Sequence, residues 1–176
     1  VILQNRAAKG RVAGGAREAL VRIFTAEPNA DYRLRAMWAL HISGGLEEAQ
    51  LLKATADRDQ HIRAWAVQLL CEDGAPSKAA QERFAQLSRD DASPVVRLYL
   101  ASALQRLAKP DRWVIATGLS SHAGDANDHN LPKMIWYGIE PAVPEDPEKA
   151  VALASGSKIP LLTRYIARRL TAARRL

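Results

Sequence analysis

Cysteine is nearly missing from this chain: Cys71 is the one thiol in 176 residues. No internal disulfide can form, and a cysteine-based zinc site is excluded. Aromatics are also sparse, at 6 %, with two phenylalanines, and Val and Ile do not fall in alternating runs. That composition favours helices over strands. No apolar run approaches a membrane span, and the opening "VILQNRAAKGR" lacks the apolar core and small-residue cleavage site of a signal peptide. A glycine-rich phosphate loop, a Gly-x-Ser-x-Gly elbow and a His-Glu-x-x-His helix are absent as well. The acidic pairs Glu47-Glu48 and Asp90-Asp91 are adjacent in sequence, so they cannot face each other on a helix as an acid/base couple. They suit helix starts, where the dipole favours negative charge.

What is present is a chain of 48 % hydrophobic residues, long enough to bury a core. It opens at Val1, in what reads as the middle of a helix, so we expect a segment of a longer protein. The formal charge of +6 is unevenly placed: residues 1–22 carry +4 and residues 160–176 carry +5, leaving −3 on the 137 residues between. A nucleic-acid groove would spread its basic residues along its length.

An internal repeat organises the chain. "DYRLRAMWAL" (31–40), "DQHIRAWAVQLL" (59–70) and "DASPVVRLYLASAL" (91–104) share one frame, which returns more loosely in "HNLPKMIWYGI" (129–139) and "IPLLTRYIARRL" (159–170). The period is about 30 to 35 residues, in the range of helical repeat proteins. Other amphipathic stretches alternate with these, at 16–27, 46–57, 78–90, 111–123 and 147–155, and Gly, Pro and Asn breakers separate them. The pattern predicts five antiparallel helix pairs, preceded by a helical stub at residues 1–9. Pairs of this kind bury their apolar faces only by stacking, so the expected fold is all-α, a right-handed α-solenoid forming a single domain over residues 1–176.

The frame carries a basic residue near the start of each second helix: Arg35, Arg63, Arg97, Lys133 and Arg164. Acids stand at the preceding turns, Asp57, Asp59 and Asp91 among them. Together these residues predict a structural Asp/Arg ladder along the turns, fixing register, with exposed pairs worth about 0–1 kcal/mol each.

An Asp followed by "VR" or "IR", then Ala and Leu at helical spacing, is similar to the second helix of HEAT repeats. The phrases "RLRAMWALHISGGLEEAQLL", "HIRAWAVQLLCEDGAPS", "DDASPVVRLYLASALQRLAKPDRW", "NLPKMIWYGIEPAV" and "SKIPLLTRYIARRL" resemble, more narrowly, the HEAT-repeat segment of large haem-binding proteins of planctomycetes and verrucomicrobia. In that family a β-propeller resembling sugar dehydrogenases precedes the repeats and a c-type cytochrome domain follows. The family attaches haem at Cys-x-x-Cys-His, which this chain lacks, so no catalytic, metal or cofactor residue carries over. The resemblance implies a non-catalytic scaffold without a cofactor, part of an exported or periplasmic redox protein, whose partners are the flanking domains or another protein. Neither nucleic acid nor membrane insertion is expected.

Three features invite a different reading. His122 and His129 flank Asp125 and Asp128 in "SHAGDANDHN", the most ligand-like cluster of the chain, although a solvated turn has the same composition. Trp38, Trp65 and Trp136 recur at nearly equivalent places, as a repeated core position would, while Trp113 falls in a first helix. Arg164, Arg168, Arg169, Arg174 and Arg175 make a basic last helix. The rival functions are therefore a nucleic-acid-binding solenoid of the DNA-glycosylase kind and a metal-binding domain. The net −3 of residues 23–159 argues against the first.

Overall fold

In the computed structural model residues 14–173 are described. They are 75 % helical and contain no strand, so the fold is all-α. Ten α-helices run through them: α1 (Gly14–Ala26), α2 (Ala30–Ile42), α3 (Glu48–Ala54), α4 (Gln60–Leu69), α5 (Lys78–Asp90), α6 (Pro94–Ala103), α7 (Arg112–Ser120), α8 (Leu131–Ile139), α9 (Pro147–Gly156) and α10 (Pro160–Ala173). The stub expected at residues 1–9 lies outside the described residues. Chain contacts gather into two compact units, divided in sequence between Leu69 and Leu70.

Short polar side chains set the helix starts. Asn29 accepts from the Asp31 amide, Ser77 from Ala80, Ser93 from Val95 and Val96, and Asp146 from Lys149. Each satisfies a backbone donor that the first helical turn would otherwise leave unpaired. Proline stands in the first turn of α6, α8 and α9, where its missing N–H costs nothing. At the exit of α2 the Gly44 amide donates to the His41 carbonyl and the Gly45 amide to the Leu40 carbonyl, the paired bonds of a Schellman cap. Gly44 takes φ 68°, a conformation a side chain disfavours.

In the first unit α1 packs on α2, α3 on α4, and α2 on α4. Phe24, Met37, Leu40, Leu51, Ile62 and Val67 are buried there. The second unit repeats one arrangement three times. Its pairs are α5 with α6, α7 with α8, and α9 with α10; within it α7 touches both α5 and α9, and α8 touches both α6 and α10. First helices thus pack on first helices and second on second. Phe84, Leu100, Leu104, Ile115, Leu119, Ile135, Ile139 and Ile159 are all but fully enclosed.

Two glycines let these helices approach. A Cβ on Gly118 would lie 2.9 Å from Cβ of Ser88 and closer still to its hydroxyl, while one on Gly138 would lie 2.6 Å from Cβ of Leu104. Neither neighbour can move without shifting backbone. Gly138→Ala should therefore lower stability by about 1–3 kcal/mol, and Gly118→Ala should act in the same direction. At Gly156, the end of α9, a Cβ would meet nothing within 4 Å, so Gly156→Ala should be neutral or gain up to about 1 kcal/mol. Urea unfolding of the three variants checks the contrast.

Candidate functional site

The turns that lead into the second helices share one construction. At residues 57–63 Asp57 Oδ1 accepts from the Asp59 amide at 2.8 Å, and Asp59 Oδ1 accepts from the amides of His61 and Ile62. Arg63 Nη1 then donates to the Asp57 carbonyl at 2.9 Å. At residues 91–97 the same bonds recur: Asp91 Oδ1 accepts from the Ser93 amide at 2.9 Å, Ser93 caps α6, and Arg97 Nη1 donates to the Asp91 carbonyl at 2.8 Å. An acid, a cap two residues later and an arginine four residues after that form the unit. The turn before α2 uses Glu27, Asn29 and Arg33 in these places, with Glu27 Oε1 accepting from the Asn29 amide.

Each unit contains an arginine that also reaches the following turn. Arg33 Nη1 donates to Asp57 Oδ2 at 2.5 Å in the first unit. In the second, Arg97 grips Asp125 with two parallel bonds, Nε to Oδ2 and Nη2 to Oδ1, both 2.6 Å. The Arg97 side chain is 8 % exposed and that of Asp125 is 4 % exposed. The expectation of exposed, weak pairs is thus corrected: this fork is inside the protein, and every guanidinium nitrogen of Arg97 is used.

Membership of the row is corrected too. Arg35 is exposed, with its guanidinium 6.0 Å from the Tyr32 ring, and Arg33 takes the place assigned to it. Asp59 is a helix cap rather than an arginine partner. Lys133 lies on the exposed side of α8, and Arg164 is exposed over the Tyr165 ring at 5.6 Å. Measured from the caps Asp128 and Ser157, the position of the arginine is held by Pro132 and Leu161, so neither Lys133 nor Arg164 continues the row. Arg63 and Arg97 meet the expected acids Asp57 and Asp91 at their backbone carbonyls; Arg33 and Asp125 were missed.

The "SHAGDANDHN" loop is occupied by this bonding. Asp125 is held by Arg97, His122 Nε2 donates to the Ser88 carbonyl at 2.8 Å, and Asp128 accepts from the amides of Leu131 and Asn130. Those two amides hold the Asp128 carboxyl below the usual carboxylate range. His129 is exposed. Among the described residues no three His, Cys, Asp or Glu side chains converge as a metal site would require.

Of the tryptophans, Trp113 is buried, and the others are half-buried and face aromatic neighbours. Trp38 and Trp65 meet edge to face at 4.9 Å in the first unit, as do Trp136 and Tyr165 at 5.3 Å in the second. In the basic last helix Arg169 Nε lies 2.6 Å from Glu140 Oε1, while Arg168 is exposed. Arg174 and Arg175 lie outside the described residues. On the first-helix side of the second unit, Arg89, Trp113, Val114, Gly118, Lys149 and Leu153 are among the residues that line a groove of about 530 Å³.

Cys71 is buried, and that burial pushes its thiol up to about 11, against a smaller opposing effect of Arg106. A thiol in that state is a poor nucleophile near neutral pH. No helix among the described residues is long and apolar enough to cross a membrane. Comparison with known protein families, curated proteins and solved structures finds no match to this chain.

Removing one partner of a buried ion pair strands the other, so Asp125→Asn should cost about 3–5 kcal/mol in urea unfolding. Replacing both partners together, as Arg97→Met with Asp125→Leu, should recover a large part of that loss. Arg35→Ala and Lys133→Ala, both on exposed side chains, should stay within about 0.5 kcal/mol. The folded chain should also resist iodoacetamide at pH 8 and react at Cys71 once unfolded, which mass spectrometry reads directly.

Proposed function

We propose that this chain is a HEAT-like α-solenoid, a right-handed stack of helix pairs that acts as a non-catalytic scaffold for protein contacts. The observation that carries the reading is the acid–cap–arginine turn, which recurs with matching hydrogen bonds at residues 57–63 and 91–97. Like-on-like packing of helices α5 to α10 supports it, because repeat arrays bury their apolar faces through neighbours of the same kind. In the 121–130 loop, the best candidate for chemistry in the sequence, Asp125 and His122 are engaged in holding helices together, and Asp128 accepts from the amides at the start of α8. This supports a structural role for them.

The proposed role follows the resemblance to the repeat segment of large haem-binding, dehydrogenase-like proteins. The chain would join or dock the β-propeller and cytochrome domains of an exported redox protein, or dock a further protein. The groove between α5, α7 and α9 suits such contacts, since Val114, which lines it, is more than half exposed. Apolar side chains left in water beside a groove are typical of interaction surfaces.

A pull-down from source-cell extract at low and moderately high salt tests the proposal, with bound protein and nucleic acid both identified. Recovery of a propeller or cytochrome domain at both salts, lost on the change Val114→Asp, is the expected result. Nucleic acid recovered at low salt and shed at high salt would instead transfer the function to the basic last helix.

A further inference from the structure

The last helix leaves one surface of the second unit charged and open. No acidic residue occurs in α10, and among the described residues no carboxylate pairs with the exposed guanidinium groups of Arg164 and Arg168. Arg169 does have such a partner, Glu140. Lys133 is exposed on α8, one helical turn before Tyr137, and α8 packs directly on α10. Four cations on two neighbouring second helices thus stand against a single carboxylate.

That charge borders an aromatic groove. Trp136, Tyr137, Tyr165, Arg168, Arg169 and Ala172 line an open depression of about 440 Å³ between α8 and α10. The four residues from α10 recur at three- and four-residue intervals, so one stripe of that helix forms its wall. Tyr137 is 58 % exposed and Trp136 half-buried. Arginine, tyrosine and tryptophan are the residue types that carry most of the energy at protein contacts.

The surroundings favour one anionic partner over another. A nucleic-acid strand needs basic residues along its track and free ring faces for successive bases. The track stops here, because α6, the second helix before α8, has Arg97 as its one cation, and that residue is buried on Asp125. The rings are engaged as well: Trp136 and Tyr165 meet edge to face at 5.3 Å, and the Arg164 guanidinium lies 5.6 Å from the Tyr165 ring. A compact positive charge around one apolar depression suits a few carboxylates flanking an apolar side chain. We propose that this groove docks a short acidic segment of a partner protein, a Phe or Leu side chain against Tyr137 and Trp136 and its carboxylates on Arg168, Arg164 and Lys133. The site rests on reading the chain as a protein-binding scaffold, but it shares no residue with the groove between α5, α7 and α9.

Unlabelled octapeptides are the probes, titrated into the 176-residue protein and followed by calorimetry and by NMR at the Trp136 indole N–H. One is built of Glu and Asp around a central Phe-Leu pair, a second replaces its acids by Lys, and a thymidine octanucleotide is the third probe. The acidic peptide should bind with a dissociation constant on the order of 10–100 µM at low salt, weakening several-fold at physiological salt, and the Lys peptide should not bind. Arg168→Glu should weaken binding about tenfold and Tyr137→Ala several-fold, each with little change in melting temperature because both side chains are exposed. Lys78→Glu, an exposed charge reversal on α5, and Val114→Asp, in the other groove, should bind the peptide as the parent does, so failure of one groove is separable from failure of the other. The proposal is overturned if the acidic peptide shows no saturable binding at about 1 mM, if the Lys peptide binds equally well, or if Arg168→Glu and Tyr137→Ala both bind as the parent does. Tighter binding of the octanucleotide than of the acidic peptide would overturn it too, and would give the surface to nucleic acid.

Discussion

The structure of the second unit depends on one buried guanidinium. Taking Arg97 and Asp125 out of water costs several kcal/mol for each ion, and the return requires good geometry with every donor met. Here it is met: two bonds to the Asp125 carboxylate and one to the Asp91 carbonyl use all three nitrogens. A charge buried this way tolerates little displacement of either partner. Arg97 sits in the first turn of α6 and Asp125 in the loop that leads to α8, so the pair fixes where the second of these helices begins relative to the first. The His122 bond to the Ser88 carbonyl does the same for α5 and α7. The loop therefore clamps two helix stacks at once, and Gly138 permits the contact at the other end of α8.

The helices themselves were legible from apolar spacing and breakers, because an amphipathic stripe and the proline or glycine at its ends are local properties. The arginine register of the first turn was not. "LRAMWAL" matches "IRAWAVQLL" when the two are laid over their apolar residues, and that match selects Arg35. Counting from the capping residue instead, four positions from Asn29 as from Asp59 and Ser93, selects Arg33. The cap is the better ruler, since its bond to the first-turn amide fixes where the helix starts. Asp125 was hidden for a different reason: the fourth turn has Ala126 where Asp57 and Asp91 stand, and its acid comes one residue early. Burial of that carboxylate is a tertiary fact that no local pattern carries.

Composition read alone also placed too much weight on unusual side chains. Histidines beside aspartates suggested ligands, and a row of arginines suggested an anionic partner. In the fold most of these groups answer a nearer need: a carbonyl for His122, a helix start for Asp128, a glutamate for Arg169 and an aromatic ring for Arg164. The tryptophans follow the same logic, with rings meeting edge to face across successive second helices. The functional proposal thus rests on the arrangement of helices and on the surface they present rather than on any one reactive group.

The ties between helix pairs are short in sequence. Arg33 to Asp57 spans 24 residues, Arg97 to Asp125 spans 28, Ser88 to His122 spans 34 and Lys109 to Glu145 spans 36. Each bond closes a loop of roughly one helix pair, so little chain entropy is lost before the contact forms. Low contact order of this kind goes with rapid folding, because no distant segment must be found first. It also means that a change in one helix pair of the second unit asks only the pairs packed directly against it to adjust.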